Sequence, residues 1–251
     1  MRSLGTFPGG NRSEAYGISA DGSIIVGGSS AADGNYHAFR WREASGMEGL
    51  PMTVTPPRPS VATVAYSVSA DGADIVGAYG EPPSHVGGFW WNQYVSGNSL
   101  FMSSRTLYGV SGDGFAAVGR RIDRNSQWGF RAILFEGSQG IRAVEYDLNE
   151  VYRGLLNGSH LMVASAVSPN GRYIVGTGYN RATGRIEAFL LDRGCPPRGD
   201  VNRDRRVDNA DLLAVLFVFG GRGYRNEDIN WDGTVDDADL LAVLFNFGSE
   251  C

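Results

Sequence analysis

Residues 1–192 repeat one pattern of apolar and polar positions four times. In every unit an apolar residue and a serine lead into Asp-Gly or Asn-Gly, and apolar residues with a further glycine follow. The turn glycines are Gly22, Gly72, Gly114 and Gly171. Asp-Gly between apolar alternations is a strong hairpin signal, because both central residues of a type I′ turn need positive φ. The pattern therefore predicts an antiparallel strand on each side of every turn.

A third strand in every unit and a fourth in three units are predicted after the hairpin. The third contains a phenylalanine at a nearly constant distance from the second glycine; these residues are Phe39, Phe89, Phe130 and Phe189. The fourth strands are predicted at Met47–Leu50, Leu100–Met102 and Ile141–Val144. The segment Tyr146–Asn157 is expected to add at least one helical turn over the sheet edge.

The fourth unit lacks a fourth strand, whereas the chain begins with Ser3–Phe7, which in the phase of the repeat belongs at the end of a unit. We predict that this segment completes the fourth sheet and so removes an exposed edge. The predicted fold is mainly β, with residues 1–192 as a small four-bladed β-propeller. A piece of a larger ring and an open solenoid of stacked sheets are the alternatives.

A helical pattern follows a short linker at residues 193–198. Residues 199–251 contain two near-identical segments with apolar residues at the spacing of a helix face, in Leu212–Leu216 and Leu240–Leu244. We predict a second, small domain with two helices. Because two short helices bury little apolar surface, a bound metal is expected to supply part of the folding free energy.

Oxygen-bearing residues occupy alternate positions before each predicted helix. Ca²⁺ prefers about six to eight oxygen ligands, and a tight loop can bring alternate residues onto one ion. The first loop supplies Asp200, Asn202, Asp204, the backbone carbonyl of Arg206, Asp208 and Asp211. The second supplies Asp228, Asn230, Asp232, the backbone carbonyl of Thr234, Asp236 and Asp239. The spacing therefore predicts two bound Ca²⁺ ions.

The two loops differ at position six, where the chain must turn tightly. Gly233 suits this position, whereas Arg205 must adopt a backbone conformation that is costly for a residue with a Cβ. The first site is therefore expected to bind Ca²⁺ more weakly than the second. Val207 and Val235, at position eight, are predicted to pair the two loops with each other.

With both loops and both helices present, residues 199–249 resemble the type I dockerin module, a duplicated EF-hand-like fold without the first entering helix. The resemblance implies a cohesin-type protein domain as partner, bound through the helix surfaces. Loop positions ten and eleven help to set specificity in that family; here they are Asn209, Ala210, Asp237 and Ala238. The alternative is a calcium-stabilised terminal cap without a cohesin partner.

Charge and cysteine placement add information on compartment and partners. The formal net charge is −5, and the acidic excess lies in the C-terminal region, so no basic face indicates nucleic-acid binding. Cys195 and Cys251 flank the module, and we interpret them as a disulfide, with a free pair as the alternative; a disulfide indicates an oxidising, extracellular compartment. No signal segment and no membrane span are recognised, so we expect a missing chain start or another export route.

The repeat region offers little for catalysis. His37, His85 and His160 are not at metal-ligand spacing. The acidic residues that a glycosidase would need do not recur in phase; the candidates are Asp74, Asp123, Glu136, Glu145 and Glu187. Six aromatic residues are candidates for a polysaccharide surface, although packing is the preferred interpretation: Trp41, Trp90, Trp91, Tyr94, Trp128 and Tyr179.

The segments His37–Trp41 and Leu4–Gly10 resemble the HAF repeat of bacterial extracellular proteins, and the likeness fades in later units. The leading hypothesis is a secreted, non-catalytic repeat protein that attaches to a cohesin-type partner through its calcium module. One alternative is a carbohydrate-active hydrolase or carbohydrate-binding protein of a cellulosome-like system. The other is a structural surface protein in which the module is only a cap.

Overall fold

The computed structural model describes residues 1–51, 61–80, 87–94, 99–137, 143–194, 198–223, 225–230 and 232–250. These residues form a mainly β structure with four small antiparallel sheets and a few short helices. In each sheet the strands are neighbours in chain order.

The first two sheets have four strands each. Sheet one consists of β1 (Ser13–Ile18), β2 (Ile25–Ser30), β3 (Tyr36–Arg42) and β4 (Gly46–Gly49). Sheet two consists of β5 (Thr63–Val68), β6 (Asp74–Tyr79), β7 (Gly87–Asn92) and β8 (Ser99–Ser103). The predicted fourth strands of these two units are therefore confirmed.

Sheets three and four differ in strand number. Sheet three consists of β9 (Arg105–Val110), β10 (Ala116–Ile122), β11 (Phe130–Glu136) and β12 (Val144–Asp147). Sheet four consists of β13 (His160–Val167), β14 (Tyr173–Asn180) and β15 (Arg185–Asp192). The predicted fourth strand of the third unit is displaced, since β12 begins at Val144, where the prediction ends. Two helical turns, α1 (Leu148–Val151) and α2 (Arg153–Leu156), follow it as predicted.

The turn between the first two strands has the same hydrogen bonds in every sheet. In the first, Ser19 Oγ donates to Asp21 Oδ1 at 2.6 Å, and the Gly22 N–H donates to the Ser19 carbonyl at 3.0 Å. Gly22 has a positive φ of 74°, but Asp21 does not. The prediction of a type I′ turn is therefore wrong: serine and aspartate side chains hold a wider turn in which the glycine alone adopts the left-handed conformation.

A β-bulge interrupts the first strand of each sheet opposite the glycine that follows the hairpin turn. A Cβ on that glycine would lie 1.9–2.0 Å from a carbonyl oxygen of the bulged strand; the four residues are Gly27, Gly77, Gly119 and Gly176. Glycine is required here because the bulge brings backbone against backbone. The recurring second glycine of the sequence pattern thus has a packing cause.

The phenylalanine of the third strand occupies the predicted place in three sheets. Phe39, Phe89 and Phe189 lie opposite Gly27, Gly77 and Gly176 respectively. In sheet three, Gly119 instead pairs with Ile133, and Phe130 lies opposite Ile122 at the other end of the strand. The prediction of Phe130 as the equivalent residue is wrong, because the chain from Gly119 round the hairpin to its partner spans more residues than in the other three sheets.

Each sheet packs against the next through an apolar layer. The layers between successive sheets are centred on Val26, Val76 and Val118, all fully buried. Backbone hydrogen bonds also join successive turns, from Ala20 N–H to the Ala70 carbonyl at 3.1 Å and from Ala70 N–H to the Gly112 carbonyl at 2.8 Å. The sheets are therefore stacked in the order of the chain.

The N-terminal segment does not join the fourth sheet. Residues 3–7 form no strand, and they lie against sheet one, where the Phe7 N–H donates to Ser29 Oγ at 3.1 Å and Arg2 pairs with Glu43. Arg2 also stacks over the Trp41 ring. The predicted closure by this segment is wrong, since its local contacts hold it on the sheet that it precedes.

The C-terminal module contains α3 (Asn209–Phe217) and α4 (Asp237–Phe245). Its core is a valine cluster: Val201, Val207, Val215, Val235 and Val243. The predicted pairing of the loops with each other is wrong. Each position-eight valine instead pairs with the segment after the helix of the other copy, Val207 with residues 248–249 and Val235 with residues 220–221.

No helix in the described part of the chain is long and apolar enough to cross a membrane.

Candidate functional site

The first loop folds around its aspartate side chains. The Arg205 N–H donates to Asp200 Oδ2 at 3.0 Å, and the Arg206 N–H donates to Asp204 Oδ1 at 3.0 Å. Asp211 Oδ1 accepts from Val201 N–H at 2.8 Å, and its Oδ2 accepts from the Asp208 N–H at 2.9 Å. N–H groups near both ends of the loop therefore donate hydrogen bonds to the carboxylate at position twelve.

The second loop repeats these bonds position by position. The Gly233 N–H donates to Asp228 Oδ2 at 2.8 Å, and the Thr234 N–H donates to Asp232 Oδ1 at 2.9 Å. Asp239 accepts from the N–H groups of Ile229 and Asp236 at 2.7 and 2.9 Å. Two independent copies thus adopt one loop conformation, as their shared spacing predicts.

Position six takes the left-handed backbone conformation in both loops. Gly233 has a φ of 90° and Arg205 a φ of 74°. A residue with a Cβ is strained in this region. The predicted backbone cost at Arg205 is therefore confirmed, while its effect on calcium affinity stays a prediction.

Carboxylates are buried in this module without cationic partners. Asp211, Asp228 and Asp239 are fully buried, and Asp200 nearly so. Among the described residues, no Arg or His side chain forms an ion pair with any of these four carboxylates. One oxygen, Asp200 Oδ1, is buried without a hydrogen-bond partner. Because buried charge is costly unless it is compensated, the residues present fit a bound cation.

The first carboxyl of each loop has a raised pKa. The pKa of Asp200 is raised to about 6. Burial is the main cause, the hydrogen bond from the Arg205 N–H acts against it, and the nearby carboxylates of Asp211 and Asp204 add to the rise. Burial also raises the pKa of Asp228, and its neighbours Asp239 and Asp232 act in the same direction. A bound divalent cation would favour the charged forms and reverse this effect.

Within the described ranges, no three or more His, Cys, Asp and Glu side chains form a metal-binding group by themselves. The predicted ligand sets also use the amide oxygens of Asn202 and Asn230 and the backbone carbonyls of Arg206 and Thr234. Calcium binding therefore stays a prediction from the loop pattern and the buried carboxylates.

Each loop leads directly into its helix. Asp208 and Asp236 are the N-caps of α3 and α4, and Asp211 and Asp239 complete capping boxes three residues later. The carboxylate at position twelve is thus both a predicted calcium ligand and part of the first helical turn. The four predicted partner-binding residues lie beside it and are exposed: Asn209, Ala210, Asp237 and Ala238.

Each helix exposes an apolar face that the sequence interpretation did not separate from the buried one. Phe217 and Phe245 are both 82% exposed, and leucines one and four positions before them are exposed as well: Leu213, Leu216, Leu241 and Leu244. The buried side instead carries Val215 and Val243. The signal was present, since a short helix that is apolar on all sides needs a second surface to cover it.

The five candidate acidic residues of the repeat region have different partners. Glu145 pairs with Arg105 and Arg121, and Asp123 pairs with Arg131. The remaining three have other partners: Asp74 bonds the Trp90 ring N–H, Glu136 pairs with Arg193, and Glu187 bonds Asn180 and Thr183. These contacts separate the acids into different networks and do not gather them at one site.

The histidines and aromatic residues lie in several places, and one group of three comes together where Trp128 stacks with His160 and Tyr179. His37 pairs with Asp33, and a His160 ring nitrogen lies 2.8 Å from the Phe130 carbonyl, whereas His85 lies outside the described residues. Trp90 and Trp91 are buried in the layers between sheets, as the packing interpretation predicts, and Trp41 is buried beneath Arg2 of the N-terminal segment. Two of the remaining aromatic candidates, Trp128 and Tyr179, stack on each other with ring centroids 4.3 Å apart, and Tyr94 is exposed.

A row of tyrosines was missed. Tyr16, Tyr66 and Tyr108 occupy the bulges of the first strands of sheets one, two and three. Their ring centroids are 5.5 and 5.4 Å apart along the row. The signal was the tyrosine two residues before the apolar position of each turn, which becomes Ser165 in the fourth unit.

The predicted disulfide cannot be placed, since Cys195 and Cys251 both lie outside the described residues.

No family model matches this chain, and no curated protein matches it. The solved structures similar to it include two TolB proteins. TolB from Acinetobacter baumannii has a TM-score of 0.46 and 13% identity over 76% of this chain and 43% of that chain. A putative TolB from Agrobacterium tumefaciens has a TM-score of 0.43 and 16% identity over 72% of this chain and 58% of that chain. This chain thus spans about half the length of these structures, and the similarity assigns no function to it.

Proposed function

We propose that the protein is an extracellular, non-catalytic repeat protein that attaches to a cohesin-type protein domain through a dockerin-like module. The module binds two Ca²⁺ ions, one in each loop. The four stacked sheets are consecutive blades of a propeller-like domain that binds or displays another molecule, for which an extracellular polysaccharide is a candidate. The Cys195–Cys251 disulfide and the use of Ca²⁺ suit an oxidising, calcium-rich compartment.

The observation that carries the proposal is the link between the carboxylate loops and the exposed helix faces. Asp211 and Asp239 each close a loop and cap a helix, and each helix then presents an exposed Leu-Leu-Phe face. Cation binding at the loop therefore stabilises the first turn of the helix that carries the docking face. Two nearly identical faces support docking in either of two orientations.

Calcium binding is tested by isothermal titration of the whole protein after treatment with a chelator. We expect two ions to bind, with the first loop weaker because Arg205 is strained. Arg205→Gly should tighten the weaker site about five- to tenfold, since relief of ~1 kcal/mol of backbone strain is expected. Absence of binding would contradict the calcium function. Two sites of equal affinity that Arg205→Gly leaves unchanged would contradict the weaker binding of the first loop.

Attachment is tested with a purified type I cohesin domain as the probe, in Ca²⁺ and in EGTA. We expect calcium-dependent binding that survives either Phe217→Ser or Phe245→Ser alone and is lost in the double variant. Leu155→Ser, which removes an exposed apolar side chain from α2, is the matched control. Calcium binding without capture of the cohesin domain would favour the alternative in which the module is a cap only.

A further inference from the structure

Arg203 reaches from the first calcium loop into the repeat region. It occupies position four of the loop, between Asn202 and Asp204, and its guanidinium forms an ion pair with Asp113. The same guanidinium stacks over the Phe115 ring at 4.4 Å from the ring centroid. The side chain of Arg203 is 17% exposed and that of Asp113 only 3%. The contact is therefore largely withdrawn from water, where an ion pair is stronger and its loss more costly.

Asp113 can form this ion pair and keep its hydrogen bonds within the turn, because the two use different carboxylate oxygens. Its Oδ1 accepts from Ser111 Oγ at 2.5 Å and from the Phe115 N–H at 2.9 Å, whereas its Oδ2 is the atom that meets Arg203. The fourth turn makes the same two bonds with Asn170, whose amide carries no charge. The turn itself therefore needs only the Oδ1 acceptor, and the negative charge of Asp113 is free for the module.

The conformation of the first loop places Arg203. Arg203 and Arg205 both have positive φ, 61° and 74°. The hydrogen bond from the Arg205 N–H to Asp200 Oδ2 closes the segment 200–205, which contains Arg203. At the equivalent position the second loop has Trp231, so only the first loop has a positively charged side chain at position four.

A cavity of about 410 Å³ adjoins this contact and is lined by both parts of the chain. The repeat region contributes Phe115, Tyr152 and Arg193 among others, and the loop contributes Asp200 and Arg205. Asp200 is thus a predicted calcium ligand that also lines the cavity between the loop and the repeat region. A change in the loop at Asp200 is transmitted directly to the surface that faces the sheets.

We propose that the first loop is the surface by which the C-terminal module docks on sheet three of its own chain, with Arg203 as the anchor. Ca²⁺ in this loop strengthens the docking, because it holds the backbone on both sides of Arg203 in the docked conformation. The calcium dependence rests on the proposed function, whereas the docking through Arg203 does not. The module then has a defined orientation relative to the repeat region when its helices meet a partner.

The test is hydrogen–deuterium exchange on the whole protein, in Ca²⁺ and in EGTA. The reporters are the amides of the third turn, such as Ala116, whose N–H donates to Ser111 Oγ; the equivalent Asp74 amide of the second turn is the internal reference. We expect EGTA to speed exchange in the third turn about tenfold and to leave the second turn unchanged, as loss of a charged contact would.

Two variants and two matched controls identify the contact. Asp113→Asn and Arg203→Ala should give the fast exchange of the third turn even in Ca²⁺. Asp71→Asn, the same change in the second turn, and Arg225→Ala, an exposed arginine of the module, should behave as the unchanged protein. Because Asn170 already occupies the fourth turn, Asp113→Asn is expected to preserve the turn.

The outcomes separate this proposal from the proposed function. If two Ca²⁺ ions bind but neither variant changes exchange in the third turn, the docking proposal is overturned and calcium binding stands. If no Ca²⁺ binds and both variants still speed exchange, docking through Arg203 stands, and its control by calcium is overturned together with the calcium function.

Discussion

At the scale of the residue, Gly77 shows how one missing atom holds a sheet together. A Cβ at this position would lie 2.0 Å from the Val64 carbonyl oxygen and 2.7 Å from the Phe89 ring. Both neighbours are inside the sheet, where backbone and ring have little room to move. The same glycine recurs in every unit because every first strand carries the same bulge.

Gly77→Ala should therefore destabilise the protein by ~3 kcal/mol or more, through overlap of the new Cβ with the bulge. The measurement is urea unfolding followed by tryptophan fluorescence. Gly154→Ala is the control, since a Cβ there meets nothing within 4 Å and lies in a helical turn. It should be neutral or stabilise by up to ~1 kcal/mol. Equal losses in both variants would contradict the role assigned to the bulge.

At the scale of the element, the sequence predicted strands better than it predicted their geometry. The signal Ser-x-Asp-Gly, or Ser-x-Asn-Gly in the fourth unit, located the first hairpin of every sheet. The turn type was wrong because the serine side chain, which bonds across the turn, offers an alternative to the type I′ geometry. Phe130 was assigned by spacing alone, and spacing cannot show that β10 and β11 pair further beyond Gly119 than β6 and β7 do beyond Gly77. Strand register depends on contacts between segments, which one sequence does not display.

In the candidate site, too, local features were predicted from the sequence and contacts between distant segments were not. The predicted calcium ligands lie in local loops, so their alternate spacing was sufficient to predict loops that fold around their own carboxylates. Calcium binding itself stays a prediction. Which apolar residues of α3 and α4 face outward depends on how the two copies pack together, and this was not predicted. The contact of Arg203 with Asp113 joins residues far apart in the chain, and no local pattern marks it.

The β6–β7 strand pair contains a buried acid with consequences for stability. Asp74 Oδ1 accepts from the Trp90 ring N–H at 2.7 Å. The pKa of Asp74 is raised to about 6. Burial is the main cause, hydrogen bonds from Asn92 and Trp90 act against it, and the neighbouring Asp71 adds to the rise. The folded protein therefore binds this proton more tightly than the unfolded chain, in which the ordinary value is 3.8. The free energy of unfolding then falls as pH rises from about 4 to about 6.

Asp74→Asn should remove this contribution, because the amide keeps an oxygen for Trp90 and carries no charge. Relative to the variant, the unchanged protein is expected to lose ~2–3 kcal/mol between pH 4 and pH 7. Unfolding in urea at several pH values, with EGTA present throughout, measures the difference, in which the titration of Asp200 cancels. Asp21→Asn, at the exposed equivalent turn, serves as the comparison. Parallel pH profiles for Asp74→Asn and the unchanged protein would contradict this expectation.

At the scale of the whole molecule, the stacking of the sheets buries equivalent residues to different extents. Val26, Val76 and Val118 occupy the same place in the second strands of sheets one, two and three, and each is fully buried against the following sheet. Val175 is their equivalent in sheet four and is 42% exposed. In the described part of the chain, no fifth sheet lies beyond sheet four to cover this face.

Removal of the same two methyl groups should therefore have different effects in sheets three and four. Val118→Ala is expected to cost ~2 kcal/mol, since it leaves a cavity in the layer shared with Ala164 and Ile174. Val175→Ala should change the free energy of unfolding by less than ~0.5 kcal/mol, because water already reaches the side chain. Urea unfolding at two protein concentrations measures both. A cost at Val175 equal to that at Val118 would contradict the exposed face, and a cost that rises with protein concentration would show that a second copy covers it in solution.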